Sequence, residues 1–503
     1  MYTLPVLFVA FLASVLTIFI AKPVAVHIGL VDKPGGHKVH DAHVPLVGGL
    51  AIFISLSLAW LIAPRLGLST INSVFGAAGA LLFVVGLIDD RHDISVRVRF
   101  GAQIFAASLL IYSNVIVVDV GYLFGDTPFA LHWLALPVTI FAVVGAINAL
   151  NMMDGIDGLS GSVSVVSFTL LTIVAFSASN LLQILILLCI LGGILGFLAF
   201  NMPLPGRARA HIFMGDAGST LLGFLLANSL IVLSQGEQRA MAPVTALWIF
   251  AVPLLDTLGV MLRRVWLGRS PFNADRWHIH HLFLDAGFRV RHTVILIALA
   301  QALLGAVGLA LDYFDAPDLM SLVLFGLLFC GYAFLISRPW RAVPRMRAYQ
   351  QRSGWVAQGV KHIYVGGLNP GSAVEDVYAL LGGRAGVLGF EIYRQGEALG
   401  APVYALIGVG DSDKVADVLD AIKWRLQKKQ RAEHSGLLKV TGLRQFYPRQ
   451  AGNDRRSTVG TPRKTVTESC NRDGDRRKST PRMIYRSDDW LRSDDGSMES
   501  ART

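Results

Sequence analysis

The chain has 503 residues, of which 53% are hydrophobic and only 16% charged, with a mean hydropathy of +0.52. A soluble globular protein of this length has no use for so much apolar surface, so composition alone selects the membrane class. The net charge of +10 does not point to nucleic acid, because Lys and Arg are confined to certain loops and the C-terminal tail, where topology accounts for them.

Apolar runs long enough to span the bilayer, roughly 17–25 residues each, recur about eleven times: 4–22, 46–64, 71–88, 100–118, 128–148, 158–178, 181–200, 217–234, 241–262, 293–311 and 319–337. The first follows no basic n-region and precedes no small-residue cleavage site, so it reads as a retained helix rather than a signal peptide. Cys189 and Cys330 fall inside apolar runs, far from Cys470 and from each other, which argues against a disulfide framework or a thiolate metal site. Loops on one side carry Lys22, Lys33, Lys38, Arg91, Arg97, Arg99, Arg207, Arg209, Arg263, Arg264, Arg269, Arg276, Arg289 and Arg291. Those on the other carry Arg65 and Arg239, with Asp119, Asp126, Asp312, Asp315 and Asp318. The positive-inside rule makes the first side cytoplasmic, with the N-terminus outside and the C-terminus inside.

Residues 1–338 therefore read as an all-α polytopic membrane domain, followed by a linker over 339–360. From 361 to 445 strand-like pieces at 363–365, 387–393, 403–408 and 437–440 alternate with helix-like pieces near 372–381 and 411–429. That β-α-β-β-α-β order predicts a small cytoplasmic α+β domain of ferredoxin-like type. Its opening strand is weakly similar to that of an RNA-recognition module, but 402–410 lacks the basic and aromatic residues that would stack bases. No nucleic-acid partner is expected. The tail, 446–503, is dense in Arg, Asp, Ser and Thr and reads as a disordered basic and polar segment.

Every charged motif of the membrane domain falls on the cytoplasmic side. Asp89 and Asp90 close the third span, where two adjacent carboxylates need a cation or an arginine beside them. In 151–158, Asp154 and Asp157 are each followed by Gly, so one turn can present both carboxylates while the backbone comes close to a phosphate; Asn148 and Asn151 add amides. A plain interhelical turn uses the same residue types, but seldom so many at once. Asp216, within 215–219, opens the eighth span, where free amides and the positive end of the helix dipole suit a phosphate and the carboxylate a metal. Asp216 could equally be a structural N-cap. His278, His280 and His281 have no Cys or Glu placed to complete a zinc site; with Arg263, Arg264, Arg269 and Arg276 they suit an anionic substrate better. Asp256 lies inside an apolar run and needs a partner the sequence does not reveal. Carboxylates and basic groups gathered at one interface predict phosphoryl transfer between a soluble nucleotide and a lipid phosphate, assisted by a divalent cation.

The stretches 31–34 with 45–49, 89–95, 148–161, 211–223, 242–248, and 270–272 through 275–282 carry a family resemblance. Over about residues 1–338 the chain resembles the polyprenyl-phosphate N-acetylhexosamine-1-phosphate transferases of glycosyltransferase family 4. It is most similar to bacterial transferases that move GlcNAc-1-phosphate from UDP-GlcNAc to undecaprenyl phosphate, release UMP and initiate O-antigen synthesis. The resemblance implies Mg²⁺ or Mn²⁺ as cofactor, held by Asp216 with Asp89 and Asp90, and an active site at the cytoplasmic face of the inner membrane. It implies that Asp89 and Asp90 handle the lipid phosphate, one of them as base, and that Asp154, Asp157, Asn148 and Asn151 serve the nucleotide sugar. Phe213 is expected to stack on uracil, and the His cluster with Arg263, Arg264 and Arg276 to hold the diphosphate. Direct attack and a covalent aspartyl intermediate both stay open, the former needing fewer assumptions.

The same aspartates would serve another UDP-HexNAc donor, such as UDP-GalNAc or a 6-deoxy amino sugar. A lipid-carrier transporter would place its charges near the midplane, where only Asp256 lies; a scaffold presenting the tail has no use for the aspartate set. The family type ends soon after its last helix, so the resemblance is silent on the C-terminal domain, which could recruit downstream glycosyltransferases. A homodimer is compatible with the sequence.

Overall fold

The computed structural model describes residues 3–32, 44–92, 94–203, 210–237, 239–266, 270–271, 278–336 and 346, together with strands at 361–368, 387–394, 403–409, 444–445 and 482–486. It divides into two compact units, Met1–Gln350 and Gln351–Thr503.

The first unit is helical: α1 (Thr3–Ile28), α2 (Gly48–Ile62), α3 (Ser73–His92), α4 (Val96–Tyr112), α5 (Ala135–Met153), α6 (Leu159–Ser177), α7 (Leu181–Asn201), α8 (Gly215–Ser234), α9 (Pro243–Ile249), α10 (Ala251–Trp266), α11 (Ile279–Asp285), α12 (Val290–Tyr313) and α13 (Asp318–Ile336). The apolar runs become helices because a backbone in hydrocarbon must satisfy its own hydrogen bonds. Local signals set several ends. Asn180 accepts from Gln183 N and starts α7, and Pro243 occupies the first turn of α9. A short antiparallel pair, β1 (Val31–Asp32) and β2 (Val44–Pro45), precedes α2.

Among the described residues, nine helices are long and apolar enough to cross a membrane, ten if the bent pair α9–α10 counts as one span. Two differences separate this from the expected eleven. The fourth span, expected over 100–118, is α4, only 17 residues long. The expected continuous helix over 241–262 breaks at Phe250, where α9 and α10 meet at 82°. Pro253 explains the break: it has no N–H to donate to the Ile249 carbonyl one turn back. That carbonyl instead accepts from Gln301 Nε2 at 2.6 Å and Ser167 Oγ at 2.8 Å, while Val252 N donates to Gln301 Oε1 at 2.9 Å. Side chains of neighbouring helices thus replace the lost ladder inside the apolar layer.

Helices α7 and α8 form the buried centre, with α1, α2 and α6 against α7 and α3 and α5 against α8. Small residues permit the close approaches. A methyl added to Gly49 of α2 would lie 2.6 Å from Gly218 N of α8, and one on Gly86 of α3 would collide with Ala217. These contacts draw the ends of α2 and α3 onto the start of α8, where the acidic motifs meet. At the other end of the bundle, Asp119 pairs with Arg239 at 3.3 Å and Asp312 accepts from Ala242 N at 2.9 Å.

In the second unit, β3 (Lys361–Leu368), β4 (Val387–Arg394), β5 (Val403–Val409), β6 (Arg444–Gln445) and β7 (Arg482–Arg486) form one antiparallel sheet in the order β6-β3-β5-β4-β7. The expected helices near 372–381 and 411–429 and the strand at 437–440 lie outside the described residues; β6 holds the edge beside β3. Within the stretch expected to be disordered, the run Met483-Ile484-Tyr485 carries β-forming residues and, as part of β7, pairs with β4.

Candidate active site

Asp89 and Asp90 end α3 but do different things. Asp89 is buried; its Oδ1 accepts from Ile94 N at 2.9 Å and its Oδ2 from Arg99 of α4 at 3.0 Å. Asp90 turns to α8, where Oδ1 accepts from Asp216 N at 2.6 Å and Oδ2 from Ala217 N at 3.2 Å. Gly215, at φ +74°, lies so close to this carboxylate that a Cβ there would strike it. Asp90 therefore caps α8 from another helix. Two of the amides that the sequence reading offered to a phosphate already have a carboxylate, and Asp216 is not the cap.

Freed from capping, Asp216 faces α5. Its Oδ1 accepts from Asn151 Nδ2 at 2.6 Å, and the same amide reaches Ser219 Oγ at 3.0 Å. The Asp216 Oδ2 lies 3.9 Å from Arg99, so one guanidinium stands between Asp89 and Asp216. Asp154 follows the last turn of α5. It stays accessible but stands in a recess crowded by protein; desolvation, then the charges of Asp216, Asp90 and Asp157, push its carboxyl up to about 7. Asp157 Oδ2 accepts from Ala210 N at 2.9 Å. Asn148 lines the cavity described below, donating to Gln103 at 2.7 Å and to Val144 O at 2.8 Å.

The histidines arrive on α11. Rings of His278 and His280 stack at 5.7 Å, and those of His280 and His281 lie 4.1 Å apart. His280 closes on the aspartate turn: a Cβ on Gly155 would lie 2.5 Å from its Nε2. Both His280 ring nitrogens are buried without a hydrogen bond among the described residues. Burial, reinforced by His281, holds this imidazole down at about 3, so it is neutral. The partner of Asp256 proves to be this motif, since His278 Nδ1 and Ile279 N each lie 2.8 Å from its carboxylate.

A cavity of about 1250 Å³ connects Asp89 and Arg99 with the histidines. At one end it is lined by Asp89, Arg99, Asn151, Arg264 and the three histidines; it then runs between apolar side chains of α4, α5, α9 and α10, among them Ile104, Phe141, Leu247 and Leu258. Its far end reaches Asp119 and Gln235; the charged mouth joined to a long, largely apolar trough suits an amphiphile with a charged head.

The glycosyl transferase family 4 model matches residues 72–234, the stretch holding Asp89, Asp90, Asp154, Asp157 and Asp216. An undecaprenyl-phosphate alpha-N-acetylglucosaminyl 1-phosphate transferase of Salmonella typhi is 39% identical over 348 residues, covering 68% of this chain and 93% of the relative. Enzymes of the same name from Yersinia pestis and Haemophilus influenzae are 40% and 36% identical, covering 68% and 69% of this chain and 93% and 98% of theirs. The chain belongs to this family of sugar-1-phosphate transferases.

Its remaining expected site residues fall into place unevenly. Arg264 is buried and donates to Pro271 O at 2.6 Å, pinning the segment that leads to the histidines. Arg263 is half-buried on the same helix, and Arg276 lies outside the described residues. Phe213 is half-buried, its backbone bridging Leu46 and Pro45 beside the turn into α2; it does not line the cavity. Arg99, Gln103 and Ser219 were absent from the expected site. The start of α4 resembles any basic helix end, and only the fold sets Arg99 between two aspartates.

For a divalent cation, no group of three or more His, Cys, Asp or Glu closes on one point among the described residues. The donors nonetheless fit Mg²⁺ or Mn²⁺. These ions take hard oxygens, commonly one or two carboxylates completed by water and phosphate, and Arg99 already shows that a cation is accommodated between Asp89 and Asp216.

Proposed function

We propose that this chain transfers GlcNAc-1-phosphate from UDP-GlcNAc to undecaprenyl phosphate, forming undecaprenyl-diphospho-GlcNAc and UMP. The observation that carries the reading is one cavity whose charged mouth holds Asp89 with Arg99, Arg264 and the three histidines, and whose walls beyond are largely apolar. The names of the relatives supply the acceptor and the sugar.

The polyprenyl tail lies in the trough between α5 and α10, its phosphate at Asp89, Arg99 and Asn151. An oxygen of that phosphate attacks the β-phosphorus of UDP-GlcNAc, a new P–O bond forms, and the bond to the bridging oxygen breaks as UMP departs. Asp89, which lines the cavity, is the better placed of the paired aspartates to take a proton from the acceptor; Asp90 keeps α8 in position. Asn151 orients Asp216, and Asp154 and Asp157 receive the nucleotide sugar. His278, His280, His281, Arg263, Arg264 and Arg276 hold the diphosphate. Asp216 with Asp89 would hold Mg²⁺ or Mn²⁺, which supplies neutralisation between two anions and polarises the breaking bond. Phe213 remains the residue proposed to stack on uracil.

Taking α4 and the bent pair as spans restores eleven crossings, with the N-terminus outside and the site at the cytoplasmic face of the inner membrane, as the arginine-rich loops favour. The product then enters O-antigen or a related surface polysaccharide. The second unit reads as a ferredoxin-like domain with one added edge strand, since β6-β3-β5-β4 runs in the order 4-1-3-2 of its strands.

The test is transfer of label from radiolabelled UDP-GlcNAc into undecaprenyl lipid, with and without Mg²⁺, for the native chain and Asp216→Asn. The expected result is metal-dependent lipid labelling with UMP release, lowered at least about 100-fold in the folded variant. Transfer only from another UDP-HexNAc would keep the chemistry and change the donor. Unchanged activity of the variant at saturating Mg²⁺ would remove Asp216 as the ligand.

A further inference from the structure

An ionised carboxylate is expensive inside a membrane helix unless donors surround it. Asp256 of α10 is fully buried, and it accepts from His278 Nδ1 at 2.8 Å, from Ile279 N at 2.8 Å and from the Tyr332 hydroxyl of α13 at 2.5 Å. Room for the tyrosine is built into α10: a methyl on Gly259, nearly one turn past Asp256, would lie 2.9 Å from Tyr332 Cε1. A carboxylate can only accept, so the hydrogen in the histidine contact belongs to Nδ1. His278 lines the cavity, and with Nδ1 engaged the nitrogen left for a ligand is Nε2.

We infer that Asp256 and Tyr332 are positioning residues of the transferase: they hold the Nδ1–H and the orientation of His278 so that the cationic ring donates from Nε2 to a phosphate oxygen of the nucleotide sugar. The inference rests on the phosphotransfer reading above. Carboxylate-oriented histidines are a recurrent means of holding one nitrogen ready for chemistry. Here the carboxylate also accepts the first amide of α11, so one residue orients both the ring and the helix that carries it. The tyrosine hydroxyl draws charge from Asp256 and moderates its pull on the imidazole. Other titratable or charged groups facing His278 are His280 and His281 on its own helix and Arg264 of α10 across the cavity.

The experiment uses the full chain in lipid nanodiscs with UDP-GlcNAc, undecaprenyl phosphate and Mg²⁺. It compares wild type, Asp256→Asn, Tyr332→Phe, and each of these combined with His278→Gln. Wild-type transfer is the internal check: its absence would overturn the functional reading and this inference with it. With wild type active, Asp256→Asn should lower kcat roughly 10- to 100-fold, with KM for UDP-GlcNAc changed much less. In the His278→Gln background neither substitution should cost further activity. Equal losses with and without His278 would overturn the inference. Should Asp256→Asn fail to fold, Tyr332→Phe keeps the ring and its packing, and an unchanged kcat in that variant overturns the inference alone.

Discussion

Gly155 separates Asp154 from the rest of its turn, and the absent side chain is filled by the imidazole of His280. Sequence offers two reasons for such a glycine, a tight turn or close approach of a ligand; the structure gives a third, contact with a residue 125 positions on. Because His280 is held neutral at about 3 while an unfolded histidine titrates near 6.5, the unfolded chain binds the extra proton between those values. Stability contributed by this group is therefore complete above about pH 6.5 and is lost as pH falls toward 3. Thermal unfolding of the chain in nanodiscs across that range should show this acid loss, and His280→Gln should flatten it. An identical slope in the variant would mean that other groups carry the acid sensitivity.

At the scale of elements, the break between α9 and α10 shapes the site. The 82° bend turns α10 aside, so that Leu254, Leu258 and Met261 line the trough while Asp256 reaches the histidines. Gln301 of α12 is the clasp, bonding groups on both sides of the break. Replacing Gln301 with Leu keeps the volume but leaves Val252 N without its acceptor, at a cost of about 1–3 kcal/mol. The expected outcome is a lowered Tm in nanodiscs together with a raised KM for undecaprenyl phosphate. Unchanged values for both would show that the bend does not depend on the clasp. Pro253 is a legible sign of this break, although the hydropathy around it is unbroken. The shortness of α4 was harder to foresee, because Arg97 and Arg99 belong to its first turns and apolar residues after Tyr112 continue the run.

For the whole molecule, Met1–Gln350 holds every expected site residue, and Gln351–Thr503 is compact by itself. The relatives match only 68–69% of this chain while being covered over 93–98% of their own length, so about a third of this chain has no counterpart in them. A chain ending at residue 350 should keep wild-type kcat within about twofold in the lipid-labelling assay, since the catalytic groups are untouched. Complete loss in a truncated chain with native Tm would instead place the second unit within the catalytic body.

What the sequence by itself determined is whatever depends on neighbours along the chain. Apolar length dictates helices because hydrocarbon tolerates little else, and motifs such as 151–158 and 215–219 declare themselves because their polar residues sit side by side where apolar ones prevail. Only the tertiary structure decided which of these residues meet. Asp90 caps a helix 126 residues away, Arg99 stands between Asp89 and Asp216, and Asp256 finds His278 and Tyr332 at separations of 22 and 76 residues. The physical reason is that a carboxylate states a need for donors without naming them, and the helix packing that brings the donors leaves no periodic trace in the sequence.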